Sequence, residues 1–174
     1  MANLIDRTYF VGEINLPPNV LQGVPASIDS YITRYEREVL EMLLGYDLYK
    51  LLKAEIDAAV YTTIWDNLVN GAEYVSGSNT YKWRGLINDD KQSMIAYYVY
   101  YQFVKDNINT LESIGTVTGM SENSSRVPAD GLLIKAWNNF VDQYILATEF
   151  MLINHSDYPL WRISDVQHMN IFGI

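Results

Sequence analysis

The stretch SIDSYITRYEREVLEMLLG, residues 27–45, decides the fold. Its apolar residues recur in steps of four and three, which is the spacing of one face of an α-helix. Ser27 is a favourable N-cap, and Gly45 suits the position that ends a helix. The stretch therefore predicts an amphipathic helix that begins after Ser27, stops at Gly45 and buries these side chains: Ile28, Ile32, Tyr35, Val39 and Met42.

Residues beyond Gly45 predict two more helical segments and then a change of period. One helix is expected from Tyr46 to about Ala59, and a short helical turn follows around Trp65, ended by Asn70-Gly71. Residues 72–85 then read as two short strands around a tip of small polar residues, which predicts a β-hairpin.

Two long helices complete the predicted body. The first starts near Asn88 and is apolar around almost its whole circumference, which indicates a buried helix. The second opens at Pro128, which is suited to the first position of a helix, and its seam runs from Leu133 to Met151. The fold class is therefore mainly α: a helical bundle of about four main helices with a small β-hairpin, over residues 27–153.

Three segments lie outside this pattern. Residues 1–26 predict an extended N-terminal arm, because Pro17, Pro18 and Pro25 bar a helix. Residues 113–127 are small and polar and predict a long loop, and loops of this length are usually functional or disordered. Residues 154–174 form a C-terminal tail that is rich in apolar groups but has no helical period.

We expect the loop and the tail to supply an interface. The loop is expected to contact a neighbouring copy or another partner through these residues: Gly115, Gly119, Met120, Ser121, Glu122, Asn123, Ser124, Ser125 and Arg126. The tail is expected to dock on a partner, with Trp161 as its best anchor among these residues: Tyr158, Leu160, Trp161, Ile171 and Phe172. The alternative is that the tail packs back across its own helices.

The composition excludes or disfavours several classes of protein function. The chain has 174 residues, enough to bury one core, and no cysteine, which removes thiol catalysis and disulfides. Its net charge of −9, with few and scattered Lys and Arg, disfavours a protein that grips nucleic acid. The N-terminus does not resemble a signal peptide, and the longest apolar run, Met94–Tyr101, is too short to span a bilayer.

Motifs for chemistry are missing. A metal site would need His155 and His168 to converge with a carboxylate such as Asp157 or Asp165, and two ordinary polar residues are the simpler interpretation. The loop glycines match no phosphate-binding motif, and the adjacent Asp89 and Asp90 fit a helix N-terminus. We therefore expect no catalytic, cofactor-binding or metal-binding residues, and a protein that is not an enzyme.

Tyrosine is unusually frequent, with 14 in the chain. Four of them, Tyr97, Tyr98, Tyr100 and Tyr101, lie on the helix predicted to start near Asn88. Tyr81 lies upstream, in the predicted hairpin. These rings fit an aromatic core, while a subunit contact is the alternative because tyrosine is enriched at interfaces.

The pattern resembles head–tail connector proteins of tailed phages, also called adaptor or head-completion proteins, and is closest to those of crAss-like and related gut-bacterial phages. The resemblance covers about residues 27–150. It rests on the opening helix with Ile32, Tyr35, Leu43-Leu44-Gly45 and Leu48-Tyr49, and on the order of helical body, Gly/Ser-rich loop (Thr118–Ser125) and last helix.

The resemblance implies a structural virion protein without enzymatic activity. Such proteins form a homo-oligomeric ring, commonly of twelve copies, beneath the portal protein, extend the DNA channel and receive the next tail or ring protein. Double-stranded DNA would pass through without sequence-specific binding, and no membrane is involved. The alternative function is a small helical adaptor or regulatory interaction protein outside the virion, and an enzyme with an unrecognised site is a third.

Overall fold

The computed structural model describes residues 2–16, 28–114 and 129–169. Within these ranges it confirms a mainly α fold with one small hairpin. The elements are two short 3-10 helices, five α-helices and two strands: Arg7–Tyr9, Gly12–Ile14, α1 (Ile28–Leu44), α2 (Tyr46–Ala58), α3 (Thr63–Asn70), β1 (Ala72–Ser76), β2 (Asn79–Trp83), α4 (Met94–Ile114) and α5 (Ala129–Ile153).

α1 is the helix that its sequence period predicts. Ile28, Ile32, Tyr35 and Val39 are buried, and Met42 packs against them while half-buried. Gly45 donates its N–H to the Glu41 carbonyl (2.9 Å) and has φ +75°. This left-handed backbone, which glycine adopts without a steric penalty, lets α2 start at the very next residue. The predicted N-cap, Ser27, lies outside the described residues.

Aromatic contacts fix how the long helices run. Tyr31 on α1 meets Phe103 on α4 (5.1 Å between ring centroids), and Tyr35 meets Tyr98 (6.2 Å), so α1 and α4 are antiparallel. Trp137 on α5 meets Tyr101 (5.0 Å), and Phe140 meets Tyr98 (5.0 Å), so α4 and α5 are antiparallel as well. α2 packs against α1. The order of neighbouring helices is α2–α1–α4–α5.

The hairpin pairs β1 and β2 in an antiparallel register with Tyr74 opposite Tyr81. Two glycines clamp its base onto the end of α3. A Cβ on Gly71 would lie 2.5 Å from the Trp83 carbonyl oxygen, and a Cβ on Gly85 would lie 2.5 Å from that of Val69. The close approach lets Leu86 and Ile87 donate their N–H groups to the carbonyls of Leu68 (3.1 Å) and Val69 (3.0 Å).

α4 begins at Met94, so the start predicted near Asn88 is wrong. Asn88 instead closes a turn: its side chain accepts the Gln92 N–H (3.0 Å) and donates to the Gln92 carbonyl (2.9 Å). Ser93 caps the helix, because its buried hydroxyl accepts the Ile95 N–H (3.2 Å) and donates to the Leu86 carbonyl (2.7 Å). At the other end α4 continues through Ile114, past the predicted loop start at residue 113.

The N-terminal arm predicted over residues 1–26 is not extended over its described part, which we call the N-terminal strap (residues 2–16). It contains both 3-10 helices, and four of its apolar side chains are buried in the core: Ile5, Phe10, Ile14 and Leu16. The three prolines that suggested an extended chain all follow the strap. Upstream of them nothing prevents short 3-10 turns, and the strap is held by the burial of these four side chains against the helices.

Candidate interaction surfaces

The predicted interface residues of the tail divide into buried and exposed ones. Tyr158 is 2% exposed: its ring lies against Trp65 (5.8 Å) and Phe150 (6.5 Å), and its hydroxyl donates to the Ile64 carbonyl (3.0 Å). Trp161 donates its indole N–H to the Leu43 carbonyl at the end of α1 (2.8 Å). Tyr158 and Trp161 are therefore bound within their own chain.

The rest of the described tail runs back along α5. Trp137 donates its indole N–H to the Gln167 carbonyl (2.8 Å). The Asn138 side-chain amide donates to the Met169 carbonyl (3.0 Å) and accepts the Met169 N–H (2.8 Å), which satisfies both backbone polar groups of Met169. His168 lies 2.8 Å from Asp142. This segment has no regular secondary structure, and side chains of α5 supply hydrogen bonds to its backbone.

Tyr158 is therefore buried in its own core and Trp161 is half-buried on it, so over residues 154–169 the described tail packs on its own helices, as the alternative expectation has it. This packing removes both rings from water at little polar cost, because the Tyr158 hydroxyl and the Trp161 N–H each find a carbonyl partner inside the chain. Leu160 differs, since 61% of it is exposed. Ile171 and Phe172 lie outside the described residues, as do all nine interface residues predicted in the loop between Gly115 and Arg126.

The tyrosines singled out in the sequence, on α4 and on β2, divide between core and surface in the same way. Tyr97, Tyr98 and Tyr100 are buried, as an aromatic core requires, whereas Tyr81 on β2 is substantially exposed. Tyr97 donates to Glu13 of the strap (2.8 Å), and Tyr98 donates to Glu38 of α1. Burial, reinforced by these carboxylates, raises the pKa of both phenols, so they remain neutral donors.

One carboxylate is buried in the described part of the chain. Glu36 on α1 is 5% exposed and accepts N–H groups from Leu4 (2.9 Å) and Ile5 (3.1 Å) of the strap. Burial raises its pKa to about 7, although the two N–H groups oppose the shift. No sequence motif marks Glu36, because it sits among the charged residues of α1 and only the strap brings it into the interior.

A polar depression of about 660 Å³ lies beside the base of the hairpin. Cationic and anionic side chains line it together, and Arg84 and Asp90 form an ion pair there (3.5 Å). Across residues 2–16, 28–114 and 129–169, no three His, Asp or Glu side chains are grouped to hold a metal ion. His168 is paired with Asp142, away from the Asp157 and Asp165 considered from sequence.

Exposed apolar side chains collect on the C-terminal half of α5. Ile145, Leu146, Leu152 and Ile153 face solvent around the exposed Glu149, at the spacing of one helix face. We call these five residues the α5 face. The hairpin adjoins it, since Tyr74 packs on Phe150 (5.4 Å) and stacks on the exposed Tyr81 (5.7 Å).

A second exposed face lies on α2. Tyr46 and Leu51 are 61% and 53% exposed, and Ala54 and Ala58 continue the same helix face. Lys50 stands among them with its ammonium 5.2 Å from the centre of the Tyr46 ring. We call these five residues the α2 face. α2 packs chiefly against α1 and α5 chiefly against α4, so the two faces belong to different parts of the bundle.

Comparison with known proteins places the chain in a family. Residues 40–171 match the model of DUF6712, a family of unknown function, and the chain belongs to this family. The match includes the hairpin, α4, α5 and nearly all of the tail. No curated protein and no solved structure matches the chain. Among the described helices, none combines the length and the apolar character needed to cross a bilayer.

Proposed function

We propose that this protein is a structural component of the virion of a tailed phage. In this role it forms a homo-oligomeric ring at the head–tail junction, below the portal protein, extends the DNA channel and receives the next tail or ring protein. The carrying observation is the pair of exposed apolar faces, on α5 and on α2. Exposed faces of this kind mark surfaces that bind other proteins.

A ring needs two different surfaces on each copy, because every copy contacts one neighbour with one surface and the other neighbour with another. The resemblance of residues 27–150 to head–tail connectors is the basis for proposing a ring, commonly of twelve copies, and for placing it in the virion. In the infected cell, assembly takes place in the host cytoplasm. The proposed role is structural and not enzymatic.

Charge supports passage of DNA without binding. The chain carries 21 acidic and 12 basic residues, and an acidic wall repels phosphates and prevents DNA from adhering. The segment from Gly115 to Arg126 is proposed to meet a neighbouring copy or the channel. The exposed Leu160, together with Ile171 and Phe172, is proposed to meet the portal.

The test is assembly with and without the portal. The full chain is purified alone and after co-expression with the portal protein of the same phage genome, and mass is measured by light scattering, with negative-stain images of the large species. We expect closed rings, alone or on the portal. A chain that stays monomeric under both conditions and is missing from purified virions contradicts the proposal and favours the adaptor outside the virion.

A further inference from the structure

The α5 face and the α2 face carry opposite charges that have no ion-pair partner among the described residues, and this complementarity points to a specific contact. Glu149 is central in the α5 face and makes no ion pair with any described residue. Lys50 is central in the α2 face and likewise has no ion-pair partner in the described ranges, although it lies over the Tyr46 ring. Each face therefore presents one charge surrounded by apolar side chains.

The faces also differ in shape. The α5 face presents four large branched side chains, whereas Ala54 and Ala58 leave the α2 face low between Tyr46 and Leu51. Large side chains fit beside small ones when two helices pack, because ridges on one helix enter grooves on the other. The two faces are thus complementary both in side-chain size and in charge.

We propose that the α5 face of one copy receives the α2 face of a second copy, with Lys50 of the second copy against Glu149 of the first. The contact rests on the proposed ring and identifies the surfaces that build it. It joins two unlike faces, so the first copy keeps its α2 face and the second keeps its α5 face for a further neighbour. Repetition of such a contact closes into a ring when the rotation between copies allows.

The other charged side chains near the two faces do not compete with the pairing of Lys50 and Glu149. On α5, Asp142 is already paired with His168, and on α2, Asp57 is paired with Lys53. Glu55 accepts hydrogen bonds from Thr62. Asp47 occupies the first turn of α2, where the helix dipole favours it. A contact between two α5 faces would instead bring two Glu149 carboxylates together, and like charges at an interface are costly.

Charge reversal tests the pairing. Glu149→Lys and Lys50→Glu are made singly and together in the full chain, and assembly is followed by sedimentation velocity over a range of concentrations. Each single reversal should raise the concentration needed for assembly by roughly tenfold or more, and the double reversal should restore it. The control is the exposed hairpin pair, Glu73→Lys with Lys82→Glu, which should assemble like the wild type.

Three results separate the contact from the ring itself. Single reversals that assemble like the wild type, with rings intact, overturn the contact and leave the proposed function standing. Single reversals that fail without rescue in the double variant also overturn the pairing. A wild-type chain that never assembles, even with the portal, overturns the proposed function and the contact with it. Unchanged thermal melting of each variant ensures that folding is not the cause.

Introduced cysteines give an independent readout, because the natural chain has none. One batch of protein carries Ala54→Cys and another carries Ile153→Cys. The two batches are mixed, and a short thiol cross-linker is added. The mixture should yield cross-linked pairs that contain one chain of each kind, whereas neither batch alone should. Cross-linking within the Ile153→Cys batch alone, at the yield of the mixture, indicates a contact between like faces and overturns the proposal.

Discussion

The indole nitrogen of Trp161 lies 2.8 Å from the carbonyl oxygen of Leu43, 118 residues earlier in the chain. The bond joins the C-terminal tail to the last turn of α1, where helix carbonyls have no partner within the helix. It therefore satisfies a group that would otherwise need water, and it brings the Trp161 ring onto the hydrophobic core.

Replacing Trp161 by alanine should destabilise the protein by about 3 kcal/mol, because the substitution removes a large ring and leaves the Leu43 carbonyl without its donor. Urea unfolding measures the change. The matched control is Leu160→Ala at the exposed neighbouring position, which should change stability by no more than about 0.5 kcal/mol. Equal effects of the two substitutions would place Trp161 outside the fold.

Replacing Phe10 should show that the N-terminal strap belongs to the core. Phe10 is 1% exposed, so Phe10→Ala should cost about 3–5 kcal/mol in the free energy of unfolding. Its neighbour Val11 is exposed, and Val11→Ala is the control, with an expected effect of about 0.5 kcal/mol or less. An unchanged denaturation midpoint for Phe10→Ala would mean that the strap is not packed in solution.

Replacing Gly85 by alanine should disrupt the base of the hairpin. Gly85 has φ +93°, and an added Cβ would stand 2.5 Å from a backbone oxygen that cannot move without breaking the junction with α3. We expect a loss of more than about 2 kcal/mol. Gly77 at the hairpin tip has φ +61° and open space around it, so Gly77→Ala isolates the backbone strain and should cost about 1 kcal/mol. Thermal melting of both variants distinguishes strain from collision.

The helical part of this fold could be predicted from sequence because its signals are local. Ile28, Ile32 and Val39 recur with the helix period, and Gly45 marks the boundary that the structure shows. The hairpin could be predicted as well, since period two replaces the helix period after Gly71. Both signals need only neighbouring residues.

The strap and the tail could not be placed by such signals, because their partners are distant in sequence. Phe10 and Tyr158 have no period around them, and only the grooves between finished helices determine where each ring is buried. The same holds for Glu36, whose burial depends on residues 31 and 32 positions away. Composition indicated that the tail must bury its rings somewhere, but not whether the partner is its own chain.

Deleting Met120–Ser125 tests the proposed role of the loop segment, which lies outside the described residues. Its small polar side chains offer little apolar surface to a core, so the deletion should leave thermal melting nearly unchanged. Assembly, measured by light scattering with and without the portal, should weaken. A deletion variant that unfolds would assign the segment to the core and remove it from the proposed interface.

Glu36 should make stability depend on pH in an unusual direction. Burial raises its pKa to about 7 from an ordinary value of 4.5, so the folded protein holds this proton over a range in which the unfolded chain has lost it. By linkage, the contribution of Glu36 to stability is fully present below about pH 4.5 and falls as pH rises through 7, by about 3 kcal/mol. Glu36→Gln stays neutral and can still accept N–H groups from Leu4 and Ile5, so it should lack this dependence. Urea unfolding of both proteins at pH 5 and pH 8 measures the difference: the variant should gain stability relative to the wild type at pH 8 and little at pH 5. A gap between the two proteins that is equal at both pH values would mean that the carboxyl group keeps an ordinary pKa, and hence that the strap does not bury it.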